Sequence, residues 1–321
     1  MALCSIGYAP NMKKLLLLWL TLASAIPGHT ELAFLAVGDW GCDGKNGQRE
    51  NAVQMGRTAA LLHCRLILSL GDNFYDKGVR STTDPQWKTS FDDIYTAESL
   101  QVPWYAVLGN HDYLTNPQAQ VDRIALGSRW RMLARYYTWT EVVDAQTKVQ
   151  FFCLDTTALV KSYRTSATKF SDVATQNADA QLAWLERELA TSRAQWKIVC
   201  GHHPVYSASK THGDTPDLIA RLKPLLDRYG VQAYLAGHDH DMQHLRDAGP
   251  VEYFVSGAGS AVRSAGRNAR TLFSNGDTSG FLAARLTAER MRVEFIDHRG
   301  RVLYSTEVSR HTDKALAGTT R

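Results

Sequence analysis

Strong charge of either sign is missing from this chain. Its 36 lysines and arginines nearly balance 32 aspartates and glutamates. Without the first 25 residues, which hold Lys13, Lys14 and no acids, the balance is 34 against 32. So small a surplus leaves no electrostatic footprint for nucleic acid or an anionic membrane. Heptads, internal repeats and low-complexity linkers are also lacking, which excludes coiled coils and repeat arrays. No Asn-x-Ser/Thr sequon occurs, so N-glycosylation is not expected. The apolar stretch Leu15–Leu22 is well short of the about 20 residues that span a bilayer, and no other segment comes nearer. A stable membrane anchor is therefore not expected. What remains is ordinary globular composition, 44% hydrophobic and 21% charged over 321 residues, enough to bury a sizeable core.

Cysteine is scarce. Five are present, and Cys4 precedes the apolar stretch at the N-terminus. There, Met12-Lys13-Lys14, Leu15–Leu22 and Ala23-Ser24-Ala25 form a charged region, a short apolar region and a small-residue cleavage site. Together they describe an export signal over residues 1–25. Met12 opens that pattern better than Met1, so it is a candidate true start. A secreted, periplasmic or lumenal location follows as the expectation. Of the four cysteines left, Cys42 and Cys64 flank a predicted helix of about 18 residues, hence about 27 Å apart, too far for a disulfide. Cys153 and Cys200 each lie near a strand end, where neighbouring strands would bring them together; buried free thiols are the simpler expectation.

What the chain does have is a recurring pattern. Five short apolar runs each end in glycine plus a metal-binding side chain. LAFLAVGDWG carries Asp39. LILSLGDNFY carries Asp72 and Tyr75. WYAVLGNHDY carries Asn110 and His111. WKIVCGHHP carries His202, and VQAYLAGHDH carries His238 and His240. An apolar run of four to eight residues closed by glycine reads as a buried strand entering a turn. Functional groups in open α/β sheets gather at carboxyl strand ends. A single Gly-Asp pair is most simply a turn. Five such blocks, rich in oxygen and imidazole donors, point to a two-metal hydrolytic centre with Asp72 bridging cations about 3.5–4 Å apart. His238 and His240, one residue apart, face the same side of an extended segment and serve one metal or two adjacent ones.

The order of elements supports an α/β class. Strand Leu32–Val37, a helix near 46–64, strand 66–70, a helix around 85–95 and strand 104–108 give a βαβαβ rhythm with parallel pairing. Strands 136–143 and 149–154 read as a hairpin. A helix over Ala178–Thr191 carries Leu182, Leu185 and Leu189 on one face. Strand 197–200, helix 216–229 and strand 232–235 restore the βαβ pattern. The tail from Val251 to Val308 predicts antiparallel strands forming a second sheet. One domain over residues 26–321 is expected.

The blocks GDWG, GDNFY, GNHDY, GHHP and GHDH resemble, in order, those of the purple acid phosphatases within the metallophosphoesterase superfamily. The spacing is similar to the small, tartrate-resistant, mammalian-type branch, and the likeness runs from Leu32 to about Phe281, FVSGAGS included. The resemblance implies a four-layer αββα sandwich of two mixed β-sheets flanked by helices. Many metallophosphoesterases carry Asp-x-His in the first block; here Gly41 stands where that histidine would be, and Tyr75 is implied as its replacement. One implied set is Asp39, Asp72, Tyr75 and His240 for Fe(III), because phenolate and carboxylate suit a trivalent ion. The other is Asp72, Asn110, His202 and His238 for Fe(II), Zn(II) or Mn(II). A tyrosinate–Fe(III) band would colour the protein purple.

The same resemblance implies hydrolysis of phosphate monoesters in acid by attack of a metal-held hydroxide, on small-molecule or protein substrates, by a monomer. His111, not a ligand in this scheme, binds phosphate or protonates the leaving group. Asp112 either orients His111 or caps its loop. His212, in SASKTHGD, resembles a second active-site histidine of the branch, or is a surface-loop residue. Asp241 and His244 stand where relatives commonly have asparagine and tyrosine, and the cysteine pair of the mammalian-type branch has no counterpart. The loop Ser260–Thr278 either borders the substrate entrance or is uninvolved. Two other functions share these residues: a phosphodiesterase or nucleotide pyrophosphatase on the same centre, and a non-catalytic redox-iron or phosphate-binding protein.

Overall fold

The computed structural model describes residues 30–166 and 168–310. The export signal read over residues 1–25, with Met12 and Cys4, lies outside the described residues. Strands β1 (Leu32–Val37), β2 (Leu66–Ser69), β3 (Trp104–Ala106) and β4 (Trp130–Arg131) build a first sheet in parallel. The chain then crosses to a second sheet for β5 (Tyr137–Val142), β6 (Lys148–Cys153), β7 (Trp196–Cys200), β8 (Ala233–Ala236), β9 (Met242–Arg246), β10 (Glu252–Ser256) and β11 (Thr271–Asn275). It returns to the first sheet for β12 (Gly280–Leu286), β13 (Arg290–Asp297) and β14 (Val302–Ser309). The orders are β14-β13-β12-β1-β2-β3-β4 and β11-β9-β10-β8-β7-β6-β5. Two mixed sheets flanked by helices is the sandwich expected.

The tail is the main departure. Only β10 and β11 join the second sheet, whereas β12–β14 extend the first, with Leu32 opposite Leu286 and Ala36 opposite Leu282. Strand β1 is apolar along its whole length and buried on both faces. It therefore needs a partner on each side, and β12, apolar over GFLA, supplies the second. Between the sheets, Phe34 of β1 meets Phe151 of β6 edge-on at 5.6 Å. Helix Gln48–Leu62 lays Ala52, Met55 and Ala59 on the outer face of the first sheet. Helix Ala178–Thr191 spans the expected residues; Asn177 Oδ1 caps it by accepting from the Ala180 amide, and Leu182, Leu185 and Leu189 are buried. The single helix expected over 216–229 is two, Pro216–Arg221 and Lys223–Arg228. Pro224 brings no amide hydrogen to an uninterrupted helix.

Cys153 and Cys200 are register partners on β6 and β7, buried and unbridged, and Cys42 and Cys64 are free thiols as well. Among the described residues no helix is long and apolar enough to cross a membrane.

Candidate metal centre

All five glycine blocks converge where the carboxyl ends of the parallel strands meet. Strands β1, β2 and β3 deliver Asp39, Asp72 and Asn110–His111 from the first sheet; β7 and β8 deliver His202, His238 and His240 from the second. The Gly38 amide donates to Ser256 O (2.8 Å) and the His238 amide to Asp39 Oδ2 (2.8 Å), so the two sheets are stitched together at their tips. Asp39, Asp72 and His238 all hold left-handed φ values of 61°, 49° and 72°. Non-glycine residues seldom adopt that region, and each costs about 1–3 kcal/mol. Gly109 provides the clearance: a Cβ there would stand 2.2 Å from Asp72 Oδ1.

The side chains sort into two sets. Tyr75 OH lies 2.9 Å from Asp39 Oδ1, 3.1 Å from Asp72 Oδ2 and 3.1 Å from His240 Nε2. His202 Nε2 lies 3.2 Å from Asn110 Oδ1, 3.2 Å from His238 Nδ1 and 3.5 Å from Asp72 Oδ1. Asp72 thus turns one oxygen to each set. Donors bound to a common ion at about 2.0–2.2 Å stand about 3 Å apart when adjacent, the spacing seen around Tyr75 and around His202, and ligand atoms of Asp39, Asp72 and His202 also lie within 4.8 Å of one another. The imidazoles are already aimed: His202 Nδ1 faces Leu70 O (2.9 Å) and His240 Nδ1 faces Ala261 O (2.9 Å), which leaves each Nε2 for the centre.

Electrostatics agree with the donor chemistry. Burial, reinforced by the Asp72 charge, raises the Asp39 carboxyl well above its ordinary range despite the nearby His202. Burial and the two carboxylates raise the Tyr75 phenol as well. Although burial opposes it, the Asp72 carboxylate pushes His202 up to about 9. Each shift reports the same demand for positive charge in a dry, oxygen-rich cluster, which cations meet directly.

The second layer is a buried polar chain. Trp40 Nε1 donates to Ser69 Oγ (2.8 Å), Ser69 Oγ to Asn73 Oδ1 (2.5 Å), and Asn73 Nδ2 to Val107 O (2.8 Å) and Gln120 Oε1 (2.9 Å). Asp112 accepts from the Gly109 amide (2.9 Å), the Asn73 amide (3.1 Å) and Gln120 Nε2 (2.7 Å). It holds the loops of the second and third blocks together rather than touching the His111 ring. That ring takes its orientation from Asp76 O, 2.6 Å from Nδ1, and its Nε2 lies 3.9 Å from Asp72 Oδ2.

A cavity of about 80 Å³ opens over the centre, lined by Asp72, Asn110, His111, His212, His238, His240 and Arg263. His212 packs against His238 with the rings tilted by 35° and their centroids 4.2 Å apart. Its place is the cavity wall. Asp241 pairs with Gln243, and His244 is held between Glu252 and Tyr304; neither lines the cavity. The loop after β10 borders it, through Arg263. Sequence reasoning had no motif to find Arg263, Gln120 or Thr156, whose Oγ1 accepts from the His202 and His203 amides (3.1 and 2.9 Å).

Such a sandwich with paired ligand sets at its strand tips defines a metallophosphoesterase, and residues 32–242 match the calcineurin-like phosphoesterase family. Purple acid phosphatase 17 of Arabidopsis thaliana is 39% identical over 293 residues, 87% of this chain and 85% of that protein. Tartrate-resistant acid phosphatase type 5 of Homo sapiens is 36% identical over 317 residues, 92% of this chain and 97% of its own length. The solved structure described as GAP50, the anchor in the inner membrane complex of Plasmodium, superposes with a TM-score of 0.78 at 27% identity, covering 89% of this chain and 90% of that one. The chain belongs to the purple acid phosphatases, acid phosphatase hydrolases with a dinuclear metal centre.

Proposed function

We propose that this protein is an exported acid phosphatase that hydrolyses phosphate monoesters, with residues 26–321 working as one catalytic domain. Asp39, Asp72, Tyr75 and His240 hold Fe(III); Asp72, Asn110, His202 and His238 hold Fe(II), Zn(II) or Mn(II). The observation that carries this reading is the Asp72 carboxylate, one oxygen directed to each donor set. Once bound, the ion pair supplies Lewis acidity and a water acidified enough to ionise at low pH. The chain's own residues do the rest. Hard anionic donors gather around Tyr75, and imidazole and amide donors around His202, which separates a trivalent from a divalent preference. His111 has Nδ1 committed to Asp76 O, so its Nε2 is the atom free to meet substrate. As an imidazolium both nitrogens carry protons, and that form gives one to the departing alcohol. His212 forms the opposite wall over His238 and steadies the phosphoryl group. One domain is supported by β1 and β12–β14 sharing a sheet.

The test is metal analysis with a visible spectrum, then activity against pH on p-nitrophenyl phosphate and on bis-p-nitrophenyl phosphate. Iron with a second metal, a purple band lost in Tyr75→Phe, and an acid optimum on the monoester are expected. Colourless, active protein holding two zinc or manganese ions would overturn the iron assignment. Faster turnover of the bis ester would overturn the monoester one.

A further inference from the structure

The outer face of the second sheet is only partly roofed. Alternate residues of β6 point to that face. Phe152 lies in the apolar cluster that helix Ala178–Thr191 covers, whereas Lys148 and Gln150 come before it, beyond the last turn of the helix. A cavity of about 420 Å³ opens there, with a polar lining of Thr140, Gln146, Lys148, Gln150, Arg193 and Gln195. It lies at the amino ends of β6 and β7, while the metal-centre residue His202 follows the carboxyl end of β7. The length of β7, at about 3.3 Å per residue, separates the two.

The framework of the cavity is fixed. Asp144 Oδ1 accepts from the Gln146 and Thr147 amides (2.8 and 2.7 Å), which sets the turn between β5 and β6. The Lys148 amide donates to Gln195 Oε1 (2.9 Å), fastening that hairpin to the segment before β7. Gln150, the register partner of Thr140, donates through Nε2 to Thr138 Oγ1 (2.9 Å). These bonds decide which atoms are left over. Gln195 offers Nε2 as a donor, Gln150 offers Oε1 as an acceptor, and the Thr140 hydroxyl can do either.

Charge in the cavity is one-sided. No acid lines it. The carboxylates nearest in sequence are committed elsewhere, Glu141 to Arg65 at 2.8 Å and Asp144 to its own turn. Among the described residues neither Lys148 nor Arg193 has an ion-pair partner, and both are exposed. A simple oxyanion would satisfy the two cations and leave the amides idle. A neutral sugar would do the reverse.

We propose that this cavity binds an acidic saccharide bearing a uronate carboxylate. Lys148 and Arg193 take the carboxylate, the guanidinium through two parallel hydrogen bonds. Gln146, Gln150 and Gln195 pair with the ring hydroxyls, which donate and accept as these amides do. The site is separate from the metal centre and does not depend on the phosphatase reading.

Calorimetry on the metal-loaded protein tests this, with the disaccharide of glucuronate and N-acetylglucosamine as probe and with cellobiose and acetate as controls. Wild type, the double variant Lys148→Ala/Arg193→Ala, and Gln146→Ala are compared. Wild type should bind the disaccharide saturably, at least about tenfold tighter than either control. Loss of both charged partners should weaken binding about 10- to 100-fold, and loss of the Gln146 amide about 2- to 10-fold. Turnover of p-nitrophenyl phosphate should be the same in all three proteins. No saturable binding, or binding unaltered in the double variant, overturns the proposal. Acetate or cellobiose binding as tightly as the disaccharide overturns it too, the first leaving a plain anion patch and the second a neutral-sugar site. So does a binding loss matched by an equal loss of turnover, which would place the saccharide at the metal centre.

Discussion

The Tyr75 amide donates a 2.8 Å hydrogen bond to the Gly41 carbonyl, so the loop carrying the phenol lies directly on the glycine of the first block. A Cβ at position 41 would sit 2.0 Å from Asn73 O and 2.8 Å from Phe74 Cα, both backbone atoms. A histidine at 41 and this path for the Tyr75 loop exclude each other. The choice between a histidine at 41 and a phenol at 75 is thus a single packing decision. Gly41→Ala should displace the loop and destabilise the protein by about 1–3 kcal/mol, as overpacking of a dense interior does. Urea unfolding measures this, and the visible band should weaken in the same variant. Wild-type stability with an unchanged band would show that the loop yields freely.

That relationship marks how far the sequence could be read. Candidate metal donors such as Asp39 and His238 were legible because each ends an apolar run, and backbone periodicity alone places a run's end at a sheet's edge. Both sheets were foreseeable, but the return of β12 to β1 was not. Antiparallel pairing of the tail satisfies the same local pattern in either sheet, and only the bare side of β1 decides between them. Arg263 was illegible for a different reason. It sits on an irregular loop whose path depends on contacts with Ser207, Tyr206 and Asp214, all about 50 or more residues away in sequence. Asp112 lay between two readings, and burial with three backbone or amide donors settles it as a loop tie.

Asp112 gives a prediction of its own. Asp112→Asn replaces an acceptor with a group that is half donor, facing the Gly109 and Asn73 amides. One buried donor then goes unmet, at a cost of about 1–3 kcal/mol. The loops that carry Asp72 and Asn110 should loosen together. Metal content, measured on the purified variant, should fall along with thermal stability. Full metal occupancy in a destabilised variant would separate the tie from the centre.

A pH dependence follows from Asp155, which belongs to neither donor set. Burial raises its carboxyl to about 6, despite the hydrogen bond from Tyr113 and the charge of Arg135. The folded state therefore holds this proton more tightly than the unfolded chain, where a carboxyl titrates near about 3.9. The stability it contributes is complete below about pH 4 and is lost as pH rises through about 6. Asp155→Asn keeps an acceptor for Tyr113 without the ionisation. Between pH 4 and pH 7, wild type should lose on the order of 2–3 kcal/mol more than the variant in urea titrations. Parallel profiles for the two proteins would remove Asp155 as the cause.

His111 carries the sharpest kinetic prediction. Its Nδ1 is fixed by Asp76 O at 2.6 Å, and the Nε2 edge faces the cavity, 3.9 Å from Asp72 Oδ2. Alkyl phosphates release a strongly basic alkoxide that needs a proton as it leaves, whereas p-nitrophenolate departs with little help. Removing the proton donor should therefore cost the two substrates unequally. His111→Ala should lower kcat on an alkyl phosphate such as glycerol phosphate by about 10²–10⁴-fold, and far less on p-nitrophenyl phosphate. The Asn variant, able to hold a phosphate oxygen but not to titrate, should bind like wild type yet share the alkyl-phosphate defect. Equal losses on both substrates, recovered by Asn, would assign His111 to phosphate binding and not to protonation of the leaving group.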